Sequence, residues 1–349
     1  MNKMKWVFSA VLDCPRYKII HRNRHYLVWG TGIYGEAFAG VMERMDVLPR
    51  AFIDSDVNKQ GKIFHGIPIM DPESALAEYG NADVILAMTD SKAKSLKNML
   101  RKIGRKAITL MDFLLGDVND FSVLEIGPLH NPCFKGANVK YMDVIEAGEL
   151  LEKAEKNGLP TENVPERIDY VSPDGDWDVV KEKFDLIYSS HLLEHQTNFV
   201  KHLQDVQMHV YPGGAYVLAV PDKRYCFNHY DPCTRLEDVL AAYYEKRSRH
   251  SLQALIRAAC TTHNDVERHW QGDHGRPRKL SAVKMEKVVA EYKDSLTGGY
   301  IDVHEWYFIP ESLSEILQEL RSLGLIDFKS FDVCATSRNT NSFGLVIKY

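Results

Sequence analysis

Two stretches of the chain alternate short apolar runs with amphipathic ones, and each opens on an apolar run that ends in glycine. The first run, His25-Tyr26-Leu27-Val28-Trp29, is followed by Gly30-Thr31-Gly32-Ile33-Tyr34-Gly35 and a helical pattern through Met45. Apolar runs recur at 49–54 and 82–87; a helix is expected over 91–103 and a short strand at 107–110. Runs of this length bounded by turn residues predict strands of a parallel sheet, buried on both faces. The alternation predicts a small α/β unit of about four strands with right-handed crossovers.

The second stretch opens with Ser122-Val123-Leu124-Glu125-Ile126-Gly127. Strands are expected at 139–142 (with Asp143 closing it), 168–171 and 184–188, then a helix over 198–210. Tyr211-Pro212-Gly213-Gly214 predicts a turn into a strand over 215–220. Residues 234–289 are mostly polar with helical periodicity and predict an inserted helical cap. A helix over 310–323 and strands at 327–335 and 342–348 close the chain. That last pair predicts an antiparallel edge on a parallel sheet.

A length of 349 residues suits two domains at roughly 100–200 residues each. They are expected at 1–115 and 120–349, with the Gly- and Asp-containing segment 112–122 as linker. Composition adds constraints. Apolar residues at 45% supply a core, and a net charge of −5 offers a polyanion no global attraction, so no nucleic-acid partner is expected. Six scattered cysteines contain no CxxC pair, which predicts reduced thiols and a cytoplasmic setting. Lys3 and Lys5 precede an apolar run from Trp6 to Leu12 with no cleavage-like site after it, so a short helix or strand is expected there rather than a signal peptide. No apolar run reaches the 18 residues of a membrane span.

Gly30, Gly32 and Gly35 form GxGxxG between a strand and a helix, and Asp54 lies 24 residues after Gly30 at the end of the next strand. The glycines let a phosphate approach the helix N-terminus, and the carboxylate is placed for a ribose hydroxyl. With FIDSDVNKQGKIFHGIPIMDPESAL at 52–76, this part resembles the small N-terminal Rossmann-like domain of bacterial sugar-modifying proteins, including sugar O-acyltransferases. The resemblance implies a nucleotide or nucleotide-sugar ligand. A domain that packs or dimerises without ligand fits the same residues, and four strands are few for a complete dinucleotide site.

The segment Val123-Leu124-Glu125-Ile126-Gly127-Pro128, Asp143 sixteen residues on, Phe184-Asp185-Leu186-Ile187 leading to Ser190-His191-Leu192-Leu193-Glu194-His195, and Pro212-Gly213-Gly214 follow in order. Together they resemble the landmarks of class I S-adenosylmethionine-dependent methyltransferases. LEIGPLHNP, SSHLLEH, LAVPDKRYCF and DVHEWYFIPESL narrow the resemblance to a subgroup met beside glycan-assembly enzymes. The fold implied is a class I methyltransferase sheet with a helical insertion. The cofactor implied is S-adenosylmethionine, held by Glu125, Gly127, Pro128, Asp143, Asp169, Ser190 and His191. The acceptor implied is a sugar, nucleotide-sugar or surface glycan, and association with glycan-assembly enzymes or a homo-oligomer is expected by the same analogy. The single glycine followed by Pro128-Leu129-His130-Asn131-Pro132 departs from the commonest loop.

Transfer to a hydroxyl needs alignment and a proton acceptor. His191, His274 and His304 are the catalytic candidates, because imidazole titrates near neutrality; contact with the cofactor or helix capping are the plainer roles. His195 and Glu194 are expected to hold the loop. Asp222, Lys223 and Arg224, after the fifth strand, with Trp270 and His274, are candidates for the acceptor, Lys223 and Arg224 suiting an anionic group; an Asp222 ion pair is the alternative. His269, Asp273 and His274 are conceivable ligands, but transfer from an activated donor needs no metal, and none is expected. His304-Glu305-Trp306-Tyr307 is expected to close the pocket or form a buried edge. Two further readings use the same chain. One is a nicotinamide-dependent sugar oxidoreductase on the first glycine loop, which lacks a nearby Tyr-x-x-x-Lys pair. The other is a non-catalytic module of a polysaccharide assembly complex.

Overall fold

The computed structural model describes residues 18, 21–22, 24–109, 113, 121–298 and 301–349. The apolar run Trp6–Leu12 and most of the expected linker at 112–122 lie outside them. The chain divides into two compact units, one containing the described residues up to Ser122 with Phe134–Val139, the other Val123–Cys133 with Lys140–Tyr349.

In the first unit the elements are β1 (Tyr26–Trp29), α1 (Ile33–Met45), β2 (Ala51–Ile53), β3 (Ile63–Phe64), β4 (Ile67–Met70), α2 (Pro72–Glu78), β5 (Asp83–Leu86), α3 (Asp90–Lys102) and β6 (Ala107–Thr109). The sheet order is β3-β4-β2-β1-β5-β6, so six strands form where four were expected. The extra two are a hairpin, antiparallel to each other, with β4 parallel to β2. Its turn is His65-Gly66, both at positive φ (47° and 77°), the conformation of a two-residue type I′ hairpin. The sequence pattern hid it because only Ile69 of these strands is buried. Pro72 opens α2 and the Asp71 carboxylate caps it by accepting from the Ser74 N–H at 2.9 Å. Leu27, Ile53, Val84 and Leu100 pack the core with no exposed surface.

The second unit contains β7 (Val123–Ile126), β8 (Val139–Asp143), α4 (Ala147–Lys156), β9 (Tyr170–Val171), β10 (Phe184–Ser190), α5 (Phe199–His209) and β11 (Val210–Pro221). The helical insertion follows as α6 (Leu236–Tyr244), α7 (Leu252–Ala259), α8 (Val266–Trp270) and α9 (Ala282–Ser295). It ends some residues later than the pattern predicted. Then come α10 (Pro310–Ser322), β12 (Ser330–Cys334) and β13 (Ser342–Lys348). The sheet order is β12-β13-β11-β10-β7-β8-β9. β13 is antiparallel to both β11 and β12, which is the expected antiparallel edge. Both units are therefore α/β, as expected. From β7 the chain winds first through β8 and β9, then returns to place β10 on β7's other side, which makes β7/β10 the topological switch point.

One expected turn is not a turn. Tyr211-Pro212-Gly213-Gly214 lies inside β11, where Phe184 pairs with Val210 but Leu186 pairs with Ala215. The extra residues bulge out. Gly213 stands at φ 83°, and a Cβ on Gly214 would come within 2.6 Å of the Asp185 carbonyl oxygen, so the bulge closes only around glycine. The core beneath joins Ile187, Leu218 and Leu345 of the sheet to Phe199 of α5 and Leu313 of α10, all fully buried.

Candidate functional site

The carboxyl ends of β7, β8 and β10 open into a cavity of about 810 Å³. Gly127 follows β7 at φ 67° and donates its N–H to the Met142 carbonyl at 2.9 Å, so the strand turns sharply away while staying tied to β8. A Cβ at Gly127 would meet only Leu192 Cδ1, at 3.5 Å; the approach to this backbone is open. Leu129 (φ 50°) and His191 (φ 53°) also occupy the left-handed region and both line the cavity. For residues with a Cβ that conformation is costly, and such outliers gather where ligands are held.

Asp143 ends β8. Its Oδ1 accepts from the N–H groups of Val144 (2.8 Å) and Ile145 (3.3 Å), and no hydrogen bond to Oδ2 occurs among the described residues. Burial pushes its carboxyl above the usual range, against the two N–H groups and Lys153, which pull it down. Ser172, Asp174 and Trp177 line the cavity beyond β9. These positions were not singled out in the sequence; their only signal was a place just after the third strand.

After β10 the chain forms a short 3-10 turn at Leu193–His195. Glu194 is fully buried, and its backbone carbonyl accepts from the N–H groups of Glu305 (2.7 Å) and Trp306 (3.2 Å). Three histidine nitrogens face its Oε1: His191 Nδ1 at 3.7 Å, His195 Nε2 at 3.8 Å and His304 Nε2 at 3.8 Å. Burial, then the neighbouring His195 and His191, hold the His304 imidazole well below its ordinary value, so it is neutral at physiological pH. His195 Nδ1 donates to the Val303 carbonyl at 3.0 Å, and His191 Nε2 pairs with Ser342 Oγ at 2.8 Å. The far wall carries Thr262, His263, Asn264 and Arg278 from the helical insertion.

The cavity thus gathers Gly127, Asp143, Ser190, His191 and His304 from the expected set, together with Glu194 and His195. Other expected residues stand away from it. The Glu125 carboxylate accepts from the Cys133 N–H at 2.8 Å and shapes the loop from behind; Pro128 is buried without lining the cavity. Asp169 accepts from the Tyr141 N–H at 2.9 Å and pairs with Arg167. Asp222 is fully buried, takes the Arg224 guanidinium in a fork (2.6–3.1 Å) and receives the Thr336 hydroxyl. Lys223 Nζ donates to the His229 carbonyl at 2.7 Å. Trp270 stacks on Tyr225 at 4.0 Å and donates to the Thr340 carbonyl. His274 stacks on His229 and meets His269, and Asp273 pairs with Arg268. None of these residues lines the cavity, and Glu125, Asp169, Asp222, Lys223, Arg224, Trp270, Asp273 and His274 each already have a protein partner.

In the first unit the three glycines divide their work. A Cβ at Gly30 would lie 2.6 Å from the Ala87 carbonyl oxygen, and one at Gly35 would collide with the Gly30 carbonyl, whereas Gly32 has nothing within 4 Å. Gly30 and Gly35 serve packing, and Gly32, which precedes α1, leaves room for an anion. Asp54 is occupied: its Oδ2 accepts from the Thr31 hydroxyl and from Lys59 Nζ (3.0 Å), and its Oδ1 from the Asp56 N–H. Burial, the largest single influence, raises its carboxyl, but these bonds together outweigh it and hold the group at about 2.

No protein-family model and no curated protein matches this chain. Among solved structures it is similar to an S-adenosylmethionine-dependent methyltransferase from Clostridium acetobutylicum ATCC 824 (13% identity, 75% of this chain and 93% of that one, TM-score 0.32). It is similar to a DhpI-SAM-HEP complex at 13% identity, covering 79% of this chain and 92% of that one, TM-score 0.31. It also matches UDP-D-quinovosamine 4-dehydrogenase from Vibrio fischeri at 24% identity, over 26% of this chain and 81% of that one, TM-score 0.23. Similarity at this level assigns neither fold nor activity to the chain. Among the described residues, no helix is long and apolar enough to cross a membrane.

Proposed function

We propose that the chain is an S-adenosylmethionine-dependent methyltransferase acting on a hydroxyl of a sugar, nucleotide-sugar or surface glycan. The observation that carries the reading is the pairing of Gly127 and Asp143 at the switch point of the second sheet. An open backbone approach at a left-handed glycine and a strand-end carboxylate share one cavity. The donor set fits the cofactor: Gly127 would hold the methionine part, Asp143 the ribose hydroxyls, and Ser172, Asp174 and Trp177 the adenine end. When bound, that cofactor supplies an activated methyl group on a sulfonium.

The chain's own residues supply alignment and proton handling. His191 follows β10 at the cavity, with its Nε2 fixed on Ser342, which supports a role in orienting an acceptor hydroxyl or taking its proton. Asn264 and Arg278 offer hydrogen bonds suited to a polyhydroxyl acceptor. Turnover tests this reading. Full-length protein incubated with S-adenosylmethionine and a panel of nucleotide sugars is expected to release S-adenosylhomocysteine with one acceptor and a methylated product. Release with no member of the panel, while a small non-sugar hydroxyl compound is methylated, contradicts the acceptor class.

For the first unit, the open position at Gly32 supports an accessory nucleotide or nucleotide-sugar site. Thermal shift with UDP-sugars tests it, Gly32→Val abolishing the shift.

A further inference from the structure

We propose that Glu194, His195 and His304 form a binding site for a divalent first-row transition-metal ion on the floor of the cavity, with His191 beside it. One carboxylate oxygen and the two ring nitrogens lie within 4.8 Å of one another. The inference rests on side-chain geometry and stands whether or not the cavity takes S-adenosylmethionine.

On His195 and His191, hydrogen bonds on the far side of the ring fix which nitrogen faces inward. His195 Nδ1 donates to the Val303 carbonyl and lies 3.3 Å from Asp302 Oδ1, so a neutral ring presents the Nε2 lone pair to Glu194. Ser342 Oγ donates to Asn341 Oδ1, which makes it the acceptor of the His191 Nε2–H and leaves the Nδ1 lone pair facing the same oxygen. Lone pairs aimed at a carboxylate repel it unless a cation lies between. The separations of 3.7–3.8 Å are too long for direct hydrogen bonds. Donors about 2.0–2.2 Å from a tetrahedral ion stand roughly 3.4 Å apart, a few tenths of an ångström tighter than the Glu194–His195 and Glu194–His304 separations of 3.8 Å. The His195 and His304 planes are perpendicular, with centroids 4.7 Å apart, so they intersect along a line, and an ion on that line lies in the plane of both rings, as in-plane coordination requires.

The other histidine cluster fails that requirement. His229 and His274 are stacked 3.6 Å apart at 10°, and no ion lies in two parallel planes. Two imidazoles and one carboxylate suit zinc, iron, cobalt or manganese. The cavity side of the ion stays open to an oxygen of a small molecule.

The test uses the full chain, freed of metal by chelator and without S-adenosylmethionine, titrated with Zn²⁺ by calorimetry and with Co²⁺ by visible absorption. One ion per chain is expected, with a cobalt band distinct from that of the aquated ion. His195→Ala and His304→Ala are expected to weaken binding by at least about 10–100-fold, and His274→Ala to leave it unchanged. No cobalt band in the wild type overturns the proposal, and that arm decides alone if a variant fails to fold. Equal binding by His304→Ala, or loss in His274→Ala instead, also overturns it.

Discussion

The Gly127 N–H donates to the Met142 carbonyl at 2.9 Å. That bond fixes the distance between the open glycine turn and the adjacent Asp143, so the two groups expected to grip opposite parts of one ligand are held by backbone. The cavity is preorganised on that side, and its chemistry depends on single side chains rather than on the fold.

Asp143→Asn is therefore expected to lower S-adenosylhomocysteine affinity about 10–100-fold with little loss of stability, the worth of one charge-assisted bond of roughly 1.5–3 kcal/mol. The wild-type affinity is expected to fall as pH drops through a window above the ordinary aspartate range, because burial has pushed this carboxyl up and the protonated form stops accepting. Calorimetry from pH 8 to 5 reads both effects. An Asn variant with the same acid slope removes Asp143 from the contact.

The bulge in β11 predicts the outcome at Gly214. Its absent Cβ faces the Asp185 carbonyl at 2.6 Å, so Gly214→Ala is expected to cost about 1–3 kcal/mol by overpacking. Urea unfolding measures it; an unchanged midpoint means the bulge is loose.

The landmarks at strand ends were legible in the sequence because a parallel strand shows as an apolar run and its last residue faces the ligand edge. Gly127, Asp143 and His191 followed from that pattern together with the resemblance to class I S-adenosylmethionine-dependent methyltransferases. Asp222, Lys223, Arg224 and Trp270 sit at similar places in the sequence, yet Lys223 and Arg224 are spent on near neighbours, His229 and Asp222, and Asp222 and Trp270 also take partners brought in from afar, Thr336 and Thr340. The approach of His304 to Glu194 is equally long-range. No local pattern encodes such convergence. The hairpin at His65-Gly66 was missed for a different reason: strands this short and exposed have no periodicity to read.

His202 predicts an acid-labile fold. It is buried, bonded through Nε2 to the Tyr216 hydroxyl, and burial, aided by Lys201, drives its imidazole down to about 3. Its unfolded value is 6.5. Its contribution is complete above pH 6.5 and is lost as pH falls toward 3, because the unfolded chain takes up a proton that the folded one refuses. The loss is on the order of a few kcal/mol. Urea midpoints at pH 7 and pH 4.5 are expected to converge in His202→Gln relative to wild type; identical slopes contradict the assignment.

In the first unit, Asp54→Ala frees Thr31 and leaves Lys59 uncompensated beside the glycine loop. If Asp54 chiefly serves the ribose, UDP-sugar thermal shifts shrink while those of inorganic phosphate, which needs only the helix N-terminus, persist. Loss of both places the carboxylate's effect on the loop as a whole.

The central claim is that the cavity at Gly127 and Asp143 holds the methyl donor. Isothermal titration of the full-length protein with S-adenosylhomocysteine tests it most directly, wild type against Gly127→Arg, which puts a long side chain at a left-handed backbone position in the open approach. One site per chain in the wild type, abolished in a folded Gly127→Arg, is the predicted result. Absence of binding in the wild type, or equal binding by the variant, contradicts it.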